Sequence, residues 1–246
     1  MSPRLRALAW LLAALAGIGI AVGLGLWQLD RAAQKQALRA LMQSRSTAPQ
    51  LDADGFARAC CADPAGLHYR RVRLRGQWLA AEAVWLENRQ MNGRPGFFLV
   101  TPLRLDGRAD AVLVQRGFAA RDNDDRARVP KVASPPGTVE VQGLIAPPPA
   151  RLYEFAVAAS GPIRQNLDLP AFASQIGIAL LPVSVLLLDP LAAGSVGDGL
   201  LRDWPRPAAD VHKHHGYAFQ WFALGALMTG LYVWFQLVSP RRRRAG

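Results

Sequence analysis

The sequence predicts a membrane protein in which two transmembrane helices flank a β-rich (α+β) extramembrane domain. Three observations carry that expectation. Two runs of 23 residues without a formal charge, Ala7–Leu29 and Gly216–Val238, stand near the ends of the 246-residue chain. At about 1.5 Å per helical residue, each is long enough for roughly 30 Å of hydrocarbon. Between them, from Tyr69 onward, the apolar period falls to two, as in strands with one face in a core. The division that follows is a first span over 7–29, a β-rich domain over 30–213, a second span over 216–238 and a basic tail over 239–246.

The first run, ALAWLLAALAGIGIAVGLGLWQL, follows Arg4 and Arg6. A cleaved signal peptide is the rival interpretation, because Ala14-Leu15-Ala16 resembles a cleavage site. Ten more apolar or small residues follow Ala16, and cutting there would expose them at a new N-terminus, so the run is expected to stay as an anchor. No Arg- and Ser-rich presequence comes before it, which favours a bacterial inner membrane over import into an organelle. The next stretch, Asp30–Ser44, is rich in strong helix formers, with Ala33, Ala37, Leu38 and Leu41 on one side. It extends the membrane helix into water. Gln28, Arg31 and Lys35 follow one face at intervals of three and four, either to meet a partner or an anionic group or simply as a solvated face.

Within the middle region, Val72, Leu74, Gly76 and Trp78 alternate with Arg71, Arg73 and Arg75, predicting a half-buried strand with a charged outer row. Ala83–Glu87, a loop Asn88–Pro95 and Gly96–Leu105 predict a hairpin. Asp106-Gly107 is a turn signal ahead of a strand Ala109–Phe118 whose centre is apolar on both faces. Thr138–Ile145 and Pro182–Asp189 add two strands, and Asp168–Ile176 a short helix. The expected product is an antiparallel sheet or small barrel of five to seven strands. Ala119–Gly137 and Ala146–Ala150 lack periodicity, and loops that long either dock a partner or run over the surface.

Charge and chemistry exclude several classes of function. Net charge is +11, but six of the 29 basic residues lie at the termini; Asp30–Lys213 holds 23 against 18 acids, leaving +5. That is too mild for a nucleic-acid binder, and no recognition motif accompanies it; the basic flanks set membrane orientation instead. Arg241–Arg244 places the C-terminus in the cytoplasm and, with two spans, the N-terminus beside it. Arg31, Lys35, Arg39 and Arg45 argue the other way, but long domains translocate largely regardless of charge, so the middle domain is expected to be periplasmic. Cys60 and Cys61 are adjacent and have no distant partner, which leaves them without normal disulfide geometry and without further soft ligands for copper. There is no H-E-x-x-H, P-loop, dinucleotide turn or CxxC, and Ser195 lacks the first glycine of a nucleophile elbow. No catalytic residue is identified, and an enzyme is not expected.

The second span opens on His212, His214 and His215, with Asp210 nearby, and carries Tyr217, Trp221, Tyr232 and Trp234 toward its ends, where amphipathic rings favour the interface. One acid and three histidines are too few for a closed zinc site. A neutral imidazole at a membrane surface is a good axial ligand for haem iron; it is equally a histidine bonded to backbone or headgroups.

His214, Tyr217, Ala218, Gln220, Trp221 and Phe222 resemble the H-x-x-Y-A-x-x-W-F signature opening the second transmembrane helix of the Surfeit locus protein family, called Shy in yeast. Three further pieces match in order: Leu26, Trp27, Gln28, Leu29 and Arg31, with Lys35 following; Gly96, Phe97, Phe98, Thr101 and Pro102; and Val114, Arg116, Gly117 and Phe118. His212 and His215 stand where the family more often has Asn and Leu, and Gln115 and Phe118 where it has Asn and Trp. The resemblance implies a membrane-bound assembly factor for haem-copper cytochrome c oxidase, with both termini inside and the central domain outside. It implies involvement in haem a delivery and supports His214 among the three histidines; on that footing His214 is the expected metal ligand, with Tyr217 and Trp221 expected to line the cofactor site one and two turns on and Gln28 and Arg31 to face it from the first helix. Expected partners are oxidase subunits, membrane lipid and haem a. A scaffold that binds oxidase subunits without touching haem is the alternative.

Overall fold

A computed structural model describes residues 2–122, 128–153, 161–188, 198–204 and 211–239. The basic cluster Arg241–Arg244, Asp210, Ser195 and positions 123–127 of the long loop lie outside the described residues. The chain forms two compact units, one of Met1–Ala40 with Arg206–Gly246 and one of Leu41–Pro205.

The first unit is a pair of helices. Helix α1 runs without interruption over Pro3–Thr47. At about 1.5 Å per residue that is on the order of 68 Å, well beyond one hydrocarbon layer, so the expected extension past Asp30 is continuous with the apolar run. The last helix, α4, covers Val211–Val233 and continues as a π-helical turn over Trp234–Val238. Both are long and apolar enough to cross a membrane. Their outward faces carry Trp10, Ile20 and Phe219, each more than 60% exposed, apolar surface of a kind that suits lipid better than water.

Their inward faces follow a heptad. On α1 the shielded positions include Leu11, Ala14, Ile18, Ala21, Gly25, Gln28, Ala32 and Lys35, with Gly17, Leu24 and Leu38 beside them; on α4 they are His214, Ala218, Trp221 with Phe222, Gly225, Met228 and Tyr232. Alternating steps of three and four give the 3.5-residue period that keeps one seam in contact. The helices run antiparallel: a Cβ built on Gly25 would lie 2.6 Å from the Phe222 ring, one on Gly225 3.6 Å from Ala21, and one on Gly17 3.2 Å from Met228 Sδ. Small residues on α1 thus admit the larger side chains of α4.

Among the described residues the second unit is a seven-stranded sheet in the order β1-β5-β7-β4-β3-β2-β6, closed by an additional β1–β3 pairing. The strands are β1 Arg71–Trp78, β2 Val84–Met91, β3 Arg94–Leu105, β4 Ala111–Ala120, β5 Thr138–Ala146, β6 Ile163–Arg164 and β7 Leu180–Leu187. Five of them, β1, β5, β7, β4 and β3, make the ring. The barrel interior is filled by Leu74, Trp78, Leu103, Val114, Ile145 and Val185 among others. Strand β1 alternates as expected, with Arg71, Arg73 and Arg75 outside. The ring closes at Gly76, which pairs with Val139 on one side and Leu105 on the other. A Cβ there would sit 2.1 Å from the Arg104 carbonyl oxygen, so only glycine lets the two backbones meet.

The structure corrects the sequence-based expectation in three places. The sheet is mixed, because β7 runs parallel to β4 and the short β6 parallel to β2. The expected loop Asn88–Pro95 is strand on both sides of a two-residue turn at Asn92-Gly93, whose φ values of 52° and 74° give the left-handed pair that matches strand twist. A bulge between Leu86 and Arg89 disguises the alternation there. An unpredicted helix, α2 (Ala53–Ala62), is capped by Asp52, which accepts from the Gly55 N–H at 2.8 Å. It places Phe56 and Cys60 in the barrel core. Cys60 is therefore a packing residue, and its thiol is pushed up to about 11 by burial first and by Cys61 and Asp110 after it. Cys61, its exposed neighbour, is also a free thiol. Helix α3 (Leu169–Ile176) forms as expected, with Asp168 accepting from the Ala171 N–H and Gly177 left-handed at its end. Its Phe172 packs with Leu86, Val100 and Leu113 on the outer side of the sheet.

The two motifs of the middle domain are neighbours on β3 and β4, where Phe98 faces Phe118 and Thr101 faces Val114. Gly117 has a packing reason: a Cβ on it would meet Leu200 Cβ at 2.6 Å. Its absence lets the chain at Leu201 pair with Phe118 through both backbone groups.

Candidate functional site

The helix pair brings His214 and Gln28 together across 186 positions of sequence. His214 Nδ1 lies 2.7 Å from Gln28 Oε1. An amide oxygen only accepts, so Nδ1 carries the proton and donates; in the neutral ring the lone pair then lies on Nε2. That hydrogen bond fixes both the tautomer and the ring plane, as a carbonyl or carboxylate partner does for a metal-bound histidine. His214 is half-buried on the seam, next to the fully buried Ala218, one turn further on.

The other predicted positions are arranged less directly. Trp221, two turns beyond His214, is half-buried beside Phe222, whereas Tyr217 is 50% exposed at the edge of the seam. Arg31 lies just off the seam and is exposed; the face that α1 turns inward is Gln28, Ala32 and Lys35, not Gln28, Arg31 and Lys35. Its guanidinium donates to Gln34 Oε1 at 3.1 Å and stands 5.7 Å from the Trp27 ring centroid on the same helix. Gln36 is a contact that sequence reasoning missed. Its Nε2 is 3.5 Å from His215 Nε2. Its spacing of eight from Gln28 puts it a little over two turns away and about 80° round α1, so no local pattern announced it. Among the described residues no group of three His, Cys, Asp or Glu side chains converges as a metal site. Among the described residues, what the pair offers is one imidazole oriented through Nδ1, set on apolar helices.

The sequence profile of the SURF1 family matches residues 15–226. The chain belongs to the SURF1 family. Relatives with curated descriptions span most of it. A SURF1-like protein of Rickettsia bellii is 29% identical over 227 residues, covering 90% of this chain and 89% of the relative. A SURF1-like protein of Drosophila melanogaster is 26% identical over 236 residues, covering 89% of this chain and 74% of the relative. The yeast protein SHY1, described as a cytochrome oxidase assembly protein, is 32% identical over 100 residues, 40% of this chain and 25% of its own length. The match contains Gln28, His214, Tyr217 and Trp221. Together with the two apolar helices, family membership points to association with a membrane.

Proposed function

We propose that the chain is an assembly factor for a haem-copper cytochrome c oxidase. In this account both apolar helices cross the bacterial inner membrane, the barrel domain is periplasmic, and the helix pair holds haem a, or the oxidase subunit that receives it, at the outer surface. The observation that carries the proposal is the His214–Gln28 hydrogen bond, which leaves Nε2 as an oriented nitrogen donor at the aqueous end of an apolar helix. SURF1-family membership and the description of yeast SHY1 supply the oxidase. The Arg241–Arg244 cluster supports cytoplasmic termini.

The residues present fit the cargo. His214 would hold the haem iron through Nε2, an imidazole nitrogen of the kind that haem iron takes. Tyr217 and Trp221, three and seven residues on, give aromatic edges along the same helix. Arg31, one turn from Gln28, offers a guanidinium suited to a propionate. Gln28 acts through His214, holding the ring with Nε2 outward.

The test is complementation of a deletion strain, read as haem a content of the isolated oxidase. Wild type restores it, His214→Ala does not, and Gln28→Leu falls between them, because loss of such a partner typically costs 10–100-fold in metal affinity. Full restoration by His214→Ala would favour the scaffold that binds subunits without touching haem. Unchanged oxidase in the deletion strain would remove the assembly role itself.

A further inference from the structure

One end of the barrel holds positive charge that the described residues do not balance. Arg116 leaves β4 with its side chain 1% exposed and its guanidinium 4.9 Å from the Trp78 ring centroid. Nη1 donates to Ser134 Oγ at 2.6 Å and Nη2 to the Ala133 carbonyl at 2.7 Å, while Nε has no partner among the described residues. Asp198 Oδ2 stands 3.9 Å from Nη2, beyond hydrogen-bond reach, and the same oxygen accepts from Arg202 at close range. Arg202 also donates Nε to the Arg116 carbonyl at 2.8 Å. Two guanidinium groups thus share one carboxylate in a place where both cations are largely desolvated, and a buried charge left without full pairing costs several kcal/mol. Burial, the first cause, pushes the Arg116 guanidinium down; Asp198 offsets it and Arg202 adds to it.

A cavity of about 190 Å³ opens onto this guanidinium. Its apolar wall is Ala83, Trp85, Leu99 and Val132, and its polar wall is Arg116 with Ser134. The Ser134 hydroxyl accepts from Arg116 and so turns its own proton away from it, free to donate. We propose that the cavity binds a carboxylate carried on a short apolar stem, with Arg116 and the Ser134 hydroxyl taking the carboxylate and Trp85, Leu99 and Val132 taking the stem. Counting the described residues, two guanidinium groups against Asp198 leave one surplus positive charge, which matches one carboxylate. A phosphate would bring further oxygens against apolar carbon, where nothing satisfies them. The site lies wholly within the barrel unit and does not depend on the helix-pair assignment.

The test titrates the full-length protein in detergent with sodium benzoate, with benzamide as the uncharged isostere, and with inorganic phosphate, following the indole N–H resonances of Trp85 and Trp78 by NMR. Benzoate is expected to shift both saturably, with a dissociation constant on the order of 1 mM, while benzamide and phosphate are not. Arg116→Met is expected to weaken benzoate by about a hundredfold. Because that variant also leaves Ser134 and the Ala133 carbonyl without their donor, Ala83→Leu serves as the second. It fills the cavity, leaves Arg116 and its bonds in place, and must also abolish the shifts. A short peptide with a single central Glu presents the same group from a polypeptide, and tighter binding of the peptide or of benzoate identifies which source the cavity prefers. No saturable shift with either, or equal shifts in Ala83→Leu, would overturn the proposal.

Discussion

Barrel closure rests on one glycine, and Gly76→Ala tests it. A Cβ at position 76 would stand 2.1 Å from the Arg104 carbonyl oxygen and 3.0 Å from its carbon, whereas carbon–oxygen contacts between strands lie near 3.3–3.6 Å. About 1.2 Å must therefore be recovered between two backbones, and β1 is already held on its other side by β5. Relief means separating Gly76–Trp78 from Leu103–Leu105, at roughly 1 kcal/mol for each ladder bond lost plus 1–3 kcal/mol of overpacking. We expect a loss of about 3 kcal/mol and, for a domain of this size, a melting temperature lower by about 6–12 °C. The control is Gly107→Ala, at φ +70° with no atom within 4 Å of the built Cβ. It strains the backbone without a clash and should cost about 1 kcal/mol. Thermal unfolding of the full chain in detergent, followed by tryptophan fluorescence, compares the two. If Gly76→Ala melted with the wild type, or above Gly107→Ala, the β1–β3 closure would be wrong.

Three further outcomes are expected. In the buried relay Gln115 Nε2 donates to Ser184 Oγ at 2.8 Å, and Ser184 donates to the Pro147 carbonyl at 2.7 Å. Ser184→Ala should cost about 2 kcal/mol by stranding both neighbours, and adding Gln115→Leu should cost less than it does alone, as read by a double-mutant cycle in urea. The folded Cys60 thiol titrates near 11, above its ordinary 9.0. Its contribution is therefore fully present below pH 9 and is lost as pH rises through 11, by at most about 2–3 kcal/mol. The difference in urea midpoint between wild type and Cys60→Ala should shrink over that window, and a constant difference would refute the assignment. Cys61 is exposed, so a membrane-impermeant maleimide added to spheroplasts should label wild type and leave Cys61→Ser unlabelled; labelling that appears only after lysis would place the domain in the cytoplasm.

Local chemistry was the legible part of this sequence. The Arg71, Arg73, Arg75 row with Val72 and Leu74 between, the turn at Asp106-Gly107 and the Asp168 cap each state their structure within a few residues. Strand partners were not legible. Leu113 and Val114 on β4, like Val183, Ser184 and Val185 on β7, are buried on both faces, and a strand without alternation does not encode whether its neighbour is parallel. Arg89 misled for another reason. It is a charged residue inside a strand, 6% exposed, because its guanidinium donates to the carbonyls of Ala150 and Gln165. At the candidate site the motifs pointed to Gln28 and His214 separately. Their hydrogen bond depends on the register of two antiparallel helices, set by Gly25 against Phe222 and Gly225 against Ala21, and no spacing within either helix contains it. The same register makes Ala32, rather than Arg31, the inward residue. Ser134, Asp198 and Arg202 around Arg116 come from segments far apart in the chain and carry no local pattern.

The central claim is that His214, oriented by Gln28, takes haem. Its most direct test is the absorption spectrum of the detergent-purified protein co-expressed with a haem a synthesis pathway, for wild type, Gln28→Leu and His214→Ala, each checked for an unchanged melting transition of the barrel. The account predicts a haem spectrum in wild type, weaker haem retention in Gln28→Leu and none in His214→Ala. A colourless wild type from haem-replete cells, or a His214→Ala protein with the wild-type spectrum, would contradict it.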